Sequence, residues 1–196
     1  AEVQVAFMLL TRLPAGRLGE DAPELAAAKW AFPLAGLVVG GSLAGVYITM
    51  NILGLPASLA AILALGVGVM MTGGLHEDGL ADCADGFGGG QTKDQKLAIM
   101  KDSRVGSYGV LALILVIATR IMALAALPAT AQSLILLISL AMVSRLVMVV
   151  CLNWLPSARA DGLGHQAGKG GGLSVVVAAG LCVPAIIYSG GFILFS

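Results

Sequence analysis

The densest chemistry in this sequence is the run His76-Glu77-Asp78-Gly79-Leu80-Ala81-Asp82-Cys83-Ala84-Asp85-Gly86. Read as a helix, it puts Asp78, Asp82 and Asp85 at i, i+4 and i+7 on one face, with Glu77 turned roughly 100° from them and His76 nearly opposite. Three carboxylates in one stripe repel one another in a low dielectric. Such a stripe is tolerable when hydrated, protonated or bound to a cation. Oxygen ligands alone, and few of them, suit Mg²⁺ or Mn²⁺, with substrate phosphates and water completing the shell. An acidic loop rimming a membrane is the plainer alternative, and Asp78-Gly79 is also a turn signal.

Downstream, Met100-Lys101-Asp102-Ser103-Arg104-Val105-Gly106-Ser107-Tyr108-Gly109 sets two cations three residues apart among small residues. Lysine as a point charge and arginine as a fork make a phosphate clamp, although membrane-flanking anchors would use the same residues. Carboxylates with a divalent ion facing cations form a diphosphate-handling arrangement, which works by positioning and charge neutralisation. Competing motifs fail on spacing. An EF-hand needs acids at alternate positions, a zincin needs histidine where Leu80 stands, and Gly164 to Gly170 lacks the Walker spacing. The glycine triplets at 88–90 and 170–172 read as hinges.

The elements that must position these groups are membrane helices. Of 196 residues, 58% are hydrophobic and only 11% charged, and the mean hydropathy is +0.95. Soluble domains carry roughly 25% charged residues, so this is a membrane protein; a basic nucleic-acid binder, a secreted mini-protein and a disordered tail are excluded. Five stretches have the roughly 20 apolar residues that a span requires: 32–53, 56–75, 108–127, 133–155 and 173–195, giving an all-α, polytopic helical bundle with 76–107 as a catalytic connection. Val3 to Leu10 is too short to span and reads as an interfacial helix. The opening residues lack a charged n-region followed by a cleavage site, so no signal peptide is expected. Cys83, Cys151 and Cys182 are odd in number and scattered, which argues against a disulfide framework or a zinc site.

Charge placement sets the expected orientation. Nine basic residues (Arg12, Arg17, Lys29, Lys93, Lys96, Lys101, Arg104, Arg159 and Lys169) fall on one side of the expected bundle, together with all eleven acids. By the positive-inside rule that side, with the N-terminus, is cytoplasmic. The remaining two, Arg120 and Arg145, fall inside expected spans, where a guanidinium faces a bundle interior or water, or snorkels to an interface. No span holds an acid, so their partners should be cytoplasmic-end carboxylates or a bound anion.

MTGGLHEDGLADCADGF followed by IMKDSRVGSYG resembles the cobalamin-5′-phosphate synthase (adenosylcobinamide-GDP ribazoletransferase) family. TRLP at 11–14, FPLAGLVVG at 32–40, VSR at 143–145 and AR-x-DGLG at 158–164 extend the resemblance over nearly the whole chain. It implies a Mg²⁺-dependent enzyme of the bacterial inner membrane, working from the cytoplasm. Such an enzyme joins α-ribazole or its 5′-phosphate to adenosylcobinamide-GDP and releases GMP, among the last steps of cobalamin nucleotide-loop assembly. Carried onto this chain, the resemblance makes Asp78, Asp82, Asp85 and Glu77 metal ligands and Asp82 and Asp85 catalytic, with Asp85 the favoured proton acceptor. It makes Lys101, Arg104, Arg145, Arg159 and His76 substrate contacts. The partners implied are the two substrates and the lipid bilayer, with no nucleic acid and room for a homo-oligomer. The family's C-terminal Gly-Gly-x-Thr-Gly-Asp-like segment and last span are not found before Ser196, and are expected to be missing.

Other classes stay in view. A CDP-alcohol-phosphotransferase-like enzyme would use aspartates in a similar way. An ion-coupled transporter would use intramembrane arginines and acids, but the acidic run has no second copy of the kind inverted repeats supply. A scaffold recruiting soluble enzymes would leave the aspartate stripe unexplained.

Overall fold

The computed structural model describes residues 1–159, 162–168 and 171–195. It is all-helical: α1 (Glu2–Leu10), α2 (Leu25–Ala28) running through a 3-10 turn (Lys29–Ala31) into α3 (Phe32–Ile52), α4 (Ala57–Thr72), α5 (Leu75–Gly89), α6 (Lys93–Ile99), α7 (Ser107–Ala125), α8 (Ala131–Trp154), α9 (Leu163–Gln166) and α10 (Gly172–Phe195). Four of these are long and apolar enough to cross a membrane, within Leu25–Ile52, Ser107–Ala125, Ala131–Trp154 and Gly172–Ser189. This is the architecture of a multi-pass membrane protein. The exposed apolar side chains of α7, among them Leu111, Ile114 and Leu115, suit contact with lipid rather than water.

The centre of the bundle is the pair α3 and α8, with α4 and α10 packed at its sides. Gly36 and Gly40 permit the close approach, since a methyl at either would overlap α8 around Ala141. Packing between helices in lipid rests on this kind of surface fit. One apolar cluster gathers Ala6 and Leu10 of α1 with Phe32, Ala35, Val149 and Ala178. A second, around Tyr47, Ala60, Ala64 and Leu124, closes the other end of the bundle, where the Tyr47 hydroxyl donates to the Leu127 carbonyl at 2.8 Å. The short helix expected at the N-terminus is present as α1 and packs on α2 and α3.

The second expected span is broken: α4 and α5 pass as a fifth candidate span only when taken together as a bent pair. The chain does not run straight from it into the acidic run. Helix α4 ends at Thr72, and α5 leaves it at 88°. At ~1.5 Å per residue, the 16 residues of α4 reach about 24 Å, short of the ~30 Å hydrocarbon core. The break is written in Gly73 and Gly74, whose φ values of 65° and 72° are costly for any residue with a side chain. Their amides bond back to Met70 and Val69, a paired closure typical of helix ends. The Arg12 side chain packs over Gly73, where a Cβ would strike its guanidinium.

The glycines at 88–90 are also corrected, from hinge to packing surface. Gly88 and Gly89 are helical within α5. A Cβ on Gly88 would overlap the Tyr108 ring, and one on Gly90 would overlap Lys96. Of the second triplet, Gly170 lies outside the described residues. The thiols of Cys83, Cys151 and Cys182 are free.

Candidate functional site

Helix α5 carries the acidic run, and its faces meet different surroundings. Asp78 is exposed, Asp82 half-buried and Asp85 buried. Asp85 turns inward, with 8% of its surface exposed, and holds the start of α7: its Oδ2 accepts from the Gly106 amide at 2.7 Å and its Oδ1 from the Gly109 amide at 2.8 Å. A helix N-terminus has unpaired amides and a positive dipole end, and a carboxylate satisfies both. Asp78 and Asp82 remain on the open side. Asp78, Asp85 and Arg159 all lie close enough for their charges to act on Asp82.

On its other side, α5 presents His76 and Glu77 to a cavity of about 470 Å³ between α3, α4, α7 and α8. Arg120 Nη1 donates to Glu77 Oε1 at 2.9 Å, so the intramembrane arginine finds the carboxylate partner expected at the end of a span. One oxygen of Glu77 is thereby committed to α7. Arg145, 8% exposed, faces the same cavity and donates to Ser144 Oγ at 2.9 Å. His76 Nε2, Glu77 Oε2 and Arg145 Nε are buried and have no hydrogen-bond partner among the described residues. A second, more open cavity of about 660 Å³ is lined by Thr11, Arg12, Asp78 and Ala81, and it shares Thr72 and Glu77 with the first.

The Lys101–Arg104 segment lies exposed between α6 and α7. Arg104 is forked onto Asp102, with Nε at 3.1 Å and Nη2 at 2.6 Å. Those hydrogen bonds hold the Asp102 carboxyl down at about 2. The guanidinium therefore has an anionic partner already, in a solvated pair of the kind that contributes little stability. Helix α6 is set by a capping box at Thr92 and Gln95 and carries Lys96, whose Nζ sits 4.9 Å from the centroid of the Phe87 ring.

Two residues escaped the sequence reading. Lys29 counted only as one of the flanking cations, yet it is fully buried. Its Nζ donates to the Gly168 carbonyl at 3.0 Å and to Asn153 Oδ1 at 3.4 Å, anchoring the connection that carries Arg159. Arg12 stands in the sequence only as a flanking cation and within TRLP; its amide donates to the Met71 carbonyl at the α4–α5 break, and it lines the cavity beside Asp78. Only the match of TRLP to a family pattern could have singled out Arg12, and no sequence signal marks Lys29.

Among the described residues, no three His, Cys, Asp or Glu side chains converge as a ready metal cage. Mg²⁺ asks for less, usually one or two carboxylates with waters and substrate phosphates. Asp78 and Asp82, oxygen donors one turn apart on the open side of α5, have that composition.

The sequence model of the family described as cobalamin-5-phosphate synthase matches residues 2–196. The chain is 45% identical over 179 residues to the adenosylcobinamide-GDP ribazoletransferase of Bradyrhizobium diazoefficiens, covering 91% of this chain and 69% of that protein. It is 43% identical over 185 residues to the protein of the same name from Azorhizobium caulinodans, covering 91% and 70%. Against that of Mesorhizobium japonicum it is 46% identical over 167 residues, covering 85% of this chain and 64% of the relative. No solved structure matches the chain.

Proposed function

The chain belongs to the cobalamin-5-phosphate synthase family, and on that premise we propose that the open side of α5 is the centre where its transferase chemistry takes place. The activity is that of an adenosylcobinamide-GDP ribazoletransferase, an enzyme of cobalamin biosynthesis. The observation that carries the assignment is the separation of roles along α5. Asp78 is exposed and Asp82 lies within reach of Arg159's charge, while Asp85 is spent on the amides of α7.

In this reading Asp78 and Asp82 would hold Mg²⁺. When bound, the ion supplies neutralisation of the diphosphate charge. Arg159, Lys101 and Arg104 approach the same phosphates from their connections, with Arg104 exchanging Asp102 for a phosphate oxygen. Arg145 and His76 contact substrate from the adjoining cavity. The ribazole hydroxyl oxygen forms a bond to the phosphorus on the corrinoid side of the diphosphate. The bond from that phosphorus to the bridging oxygen breaks, and GMP leaves with the bridging oxygen. Asp82 accepts the hydroxyl proton. We give it this role in preference to Asp85, both of whose carboxylate oxygens already accept backbone amides. Glu77 balances Arg120 and stands outside the metal pair.

The positive-inside placement of the basic residues supports a bacterial plasma-membrane location with this centre facing the cytoplasm. The test is GMP release from adenosylcobinamide-GDP and α-ribazole by the purified protein in liposomes, with and without Mg²⁺. Release that depends on Mg²⁺ and falls at least a hundredfold in Asp82→Asn is the expected result. Full release by Asp82→Asn at saturating Mg²⁺ would remove Asp82 from the mechanism.

A further inference from the structure

We infer that the cavity between α3, α4, α7 and α8 is the seat of the smaller substrate, the ribazole nucleoside, with its aromatic base held in the apolar part and its pentose at the α5 end. The inference rests on the ribazoletransferase reading above and adds a location that the reading does not supply.

Size argues first. About 470 Å³ lies in the lower half of the range for small-molecule sites, roughly 300–1,000 Å³. A bicyclic aromatic base with one pentose fits such a space, and a corrin macrocycle with its amide side chains does not. Lining argues second. The walls are Val39, Leu43, Leu65, Leu124, Leu137 and Leu140, and the ionisable groups, His76, Glu77, Arg120 and Arg145, come from the start of α5 and the facing sides of α7 and α8. An apolar ring would lie among the leucines, and its sugar would reach the polar groups.

The hydrogen-bonding requirement at those groups discriminates between occupants. Glu77 Oε2 can only accept and Arg145 Nε–H can only donate, and both are buried without a partner among the described residues. Buried polar atoms in folded proteins are almost always paired. A sugar hydroxyl both donates and accepts, so a pentose can answer both atoms. The acyl chain of a lipid answers neither. The Glu77–Arg120 pair cancels its own charge and leaves Arg145 as an excess cation, so a phosphorylated nucleoside suits the site as well as the free one.

Position completes the argument. Thr72 and Glu77 belong to both cavities, and Asp78 lies on the far side of that shared wall. A nucleoside entering base-first therefore leaves its sugar hydroxyls at the boundary with the centre assigned to the diphosphate. The two substrates would approach α5 from opposite sides.

Filling the cavity tests this. Val69 of α4 and Ala123 of α7 both line it, and neither is fully buried, so Val69→Phe and Ala123→Phe add bulk into the open space. The expected result is a KM for α-ribazole raised at least tenfold in each variant, with the KM for adenosylcobinamide-GDP within twofold of the parent. Equilibrium dialysis of α-ribazole alone against the unsubstituted protein should show saturable binding that Ala123→Phe abolishes. This readout needs no turnover and survives a failure of the catalytic assignment. A raised KM for the corrinoid substrate instead would overturn the inference. Unchanged dialysis binding in both variants would overturn it too, as would an effect that appears only in anionic vesicles and vanishes in zwitterionic ones, which would make the occupant a lipid. If GMP release fails in the unsubstituted protein while dialysis binding persists, the transferase reading falls and the cavity assignment stands.

Discussion

The Asp85 carboxylate and the Gly106 amide, 21 positions apart in sequence, meet at 2.7 Å and join the end of the acidic helix to the start of the next long apolar one. With the second bond to Gly109, one side chain ties the acidic helix to the start of α7, against which α5 packs.

Asp85 and Asp82 should therefore separate stability from chemistry. Hydrogen bonds to charged groups contribute roughly 1.5–3 kcal/mol each, so Asp85→Ala is expected to destabilise the folded protein by at least ~2 kcal/mol. Asp85→Asn keeps one acceptor and should fall in between. Asp82→Asn should unfold at the parent's temperature while losing GMP release. Thermal unfolding in detergent followed by tryptophan fluorescence, alongside GMP release, makes the comparison; an Asp85→Ala protein of parental stability would contradict it.

The glycines that receive Asp85 have no space to spare. A Cβ on Gly106 or Gly109 would overlap the Asp85 carboxylate. Overpacking of this kind costs about 1–3 kcal/mol, so Gly109→Ala should destabilise even though alanine is the better helix former. Combined with Asp85→Ala, much of that cost should disappear, because the group it collides with is gone. A double-mutant cycle on the same unfolding signal reads the coupling.

Within the bundle, Glu77→Gln should leave Arg120 and Arg145 facing one cavity without a counter-charge. Arg120 is about half exposed, so the expected coupling in a Glu77→Gln/Arg120→Gln cycle is modest, about 1 kcal/mol. The double variant should be more stable than Glu77→Gln alone. Equal stability of the two would mean that the pair is not formed in the membrane.

At the exposed loop, the pH dependence has a definite sign. Asp102 sits at about 2, below its ordinary 3.8, because Arg104 bonds to its charged form. A depressed carboxylate contributes stability above its unfolded value and loses it as pH falls through its folded one. The ordering of residues 102–104 should thus persist at pH 4 and relax between about pH 4 and pH 2. In Arg104→Ala, a carbon-detected NMR titration of Asp102 should return the midpoint to about 3.8. A midpoint that stays near 2 would exclude Arg104 as the cause.

Much of this protein is legible in its sequence. The scarcity of charge against apolar stretches of span length determined an all-helical membrane protein, because a bilayer leaves the backbone few other ways to satisfy itself. Carboxylates at i, i+4 and i+7 determined a helical acidic stripe, and an arginine in a span without acids announced that its partner lay outside that span. Periodicity reports the side of a helix on which a residue lies, but not what stands opposite. Only the tertiary structure decided that Asp85 faces the amides of α7 while its stripe-mates face outward, that Glu77 goes to Arg120, and that Arg104 closes on Asp102. The same holds for Lys29, whose burial depends on a carbonyl at Gly168 brought to it by the folding of the whole bundle. The turn at Gly73-Gly74 lies between the two: the glycines are visible in the sequence, but the 88° angle between α4 and α5 and the seating of Arg12 on Gly73 belong to the tertiary structure. Local spacing determined the chemical groups, and long-range contacts decided which of them remain available to a substrate.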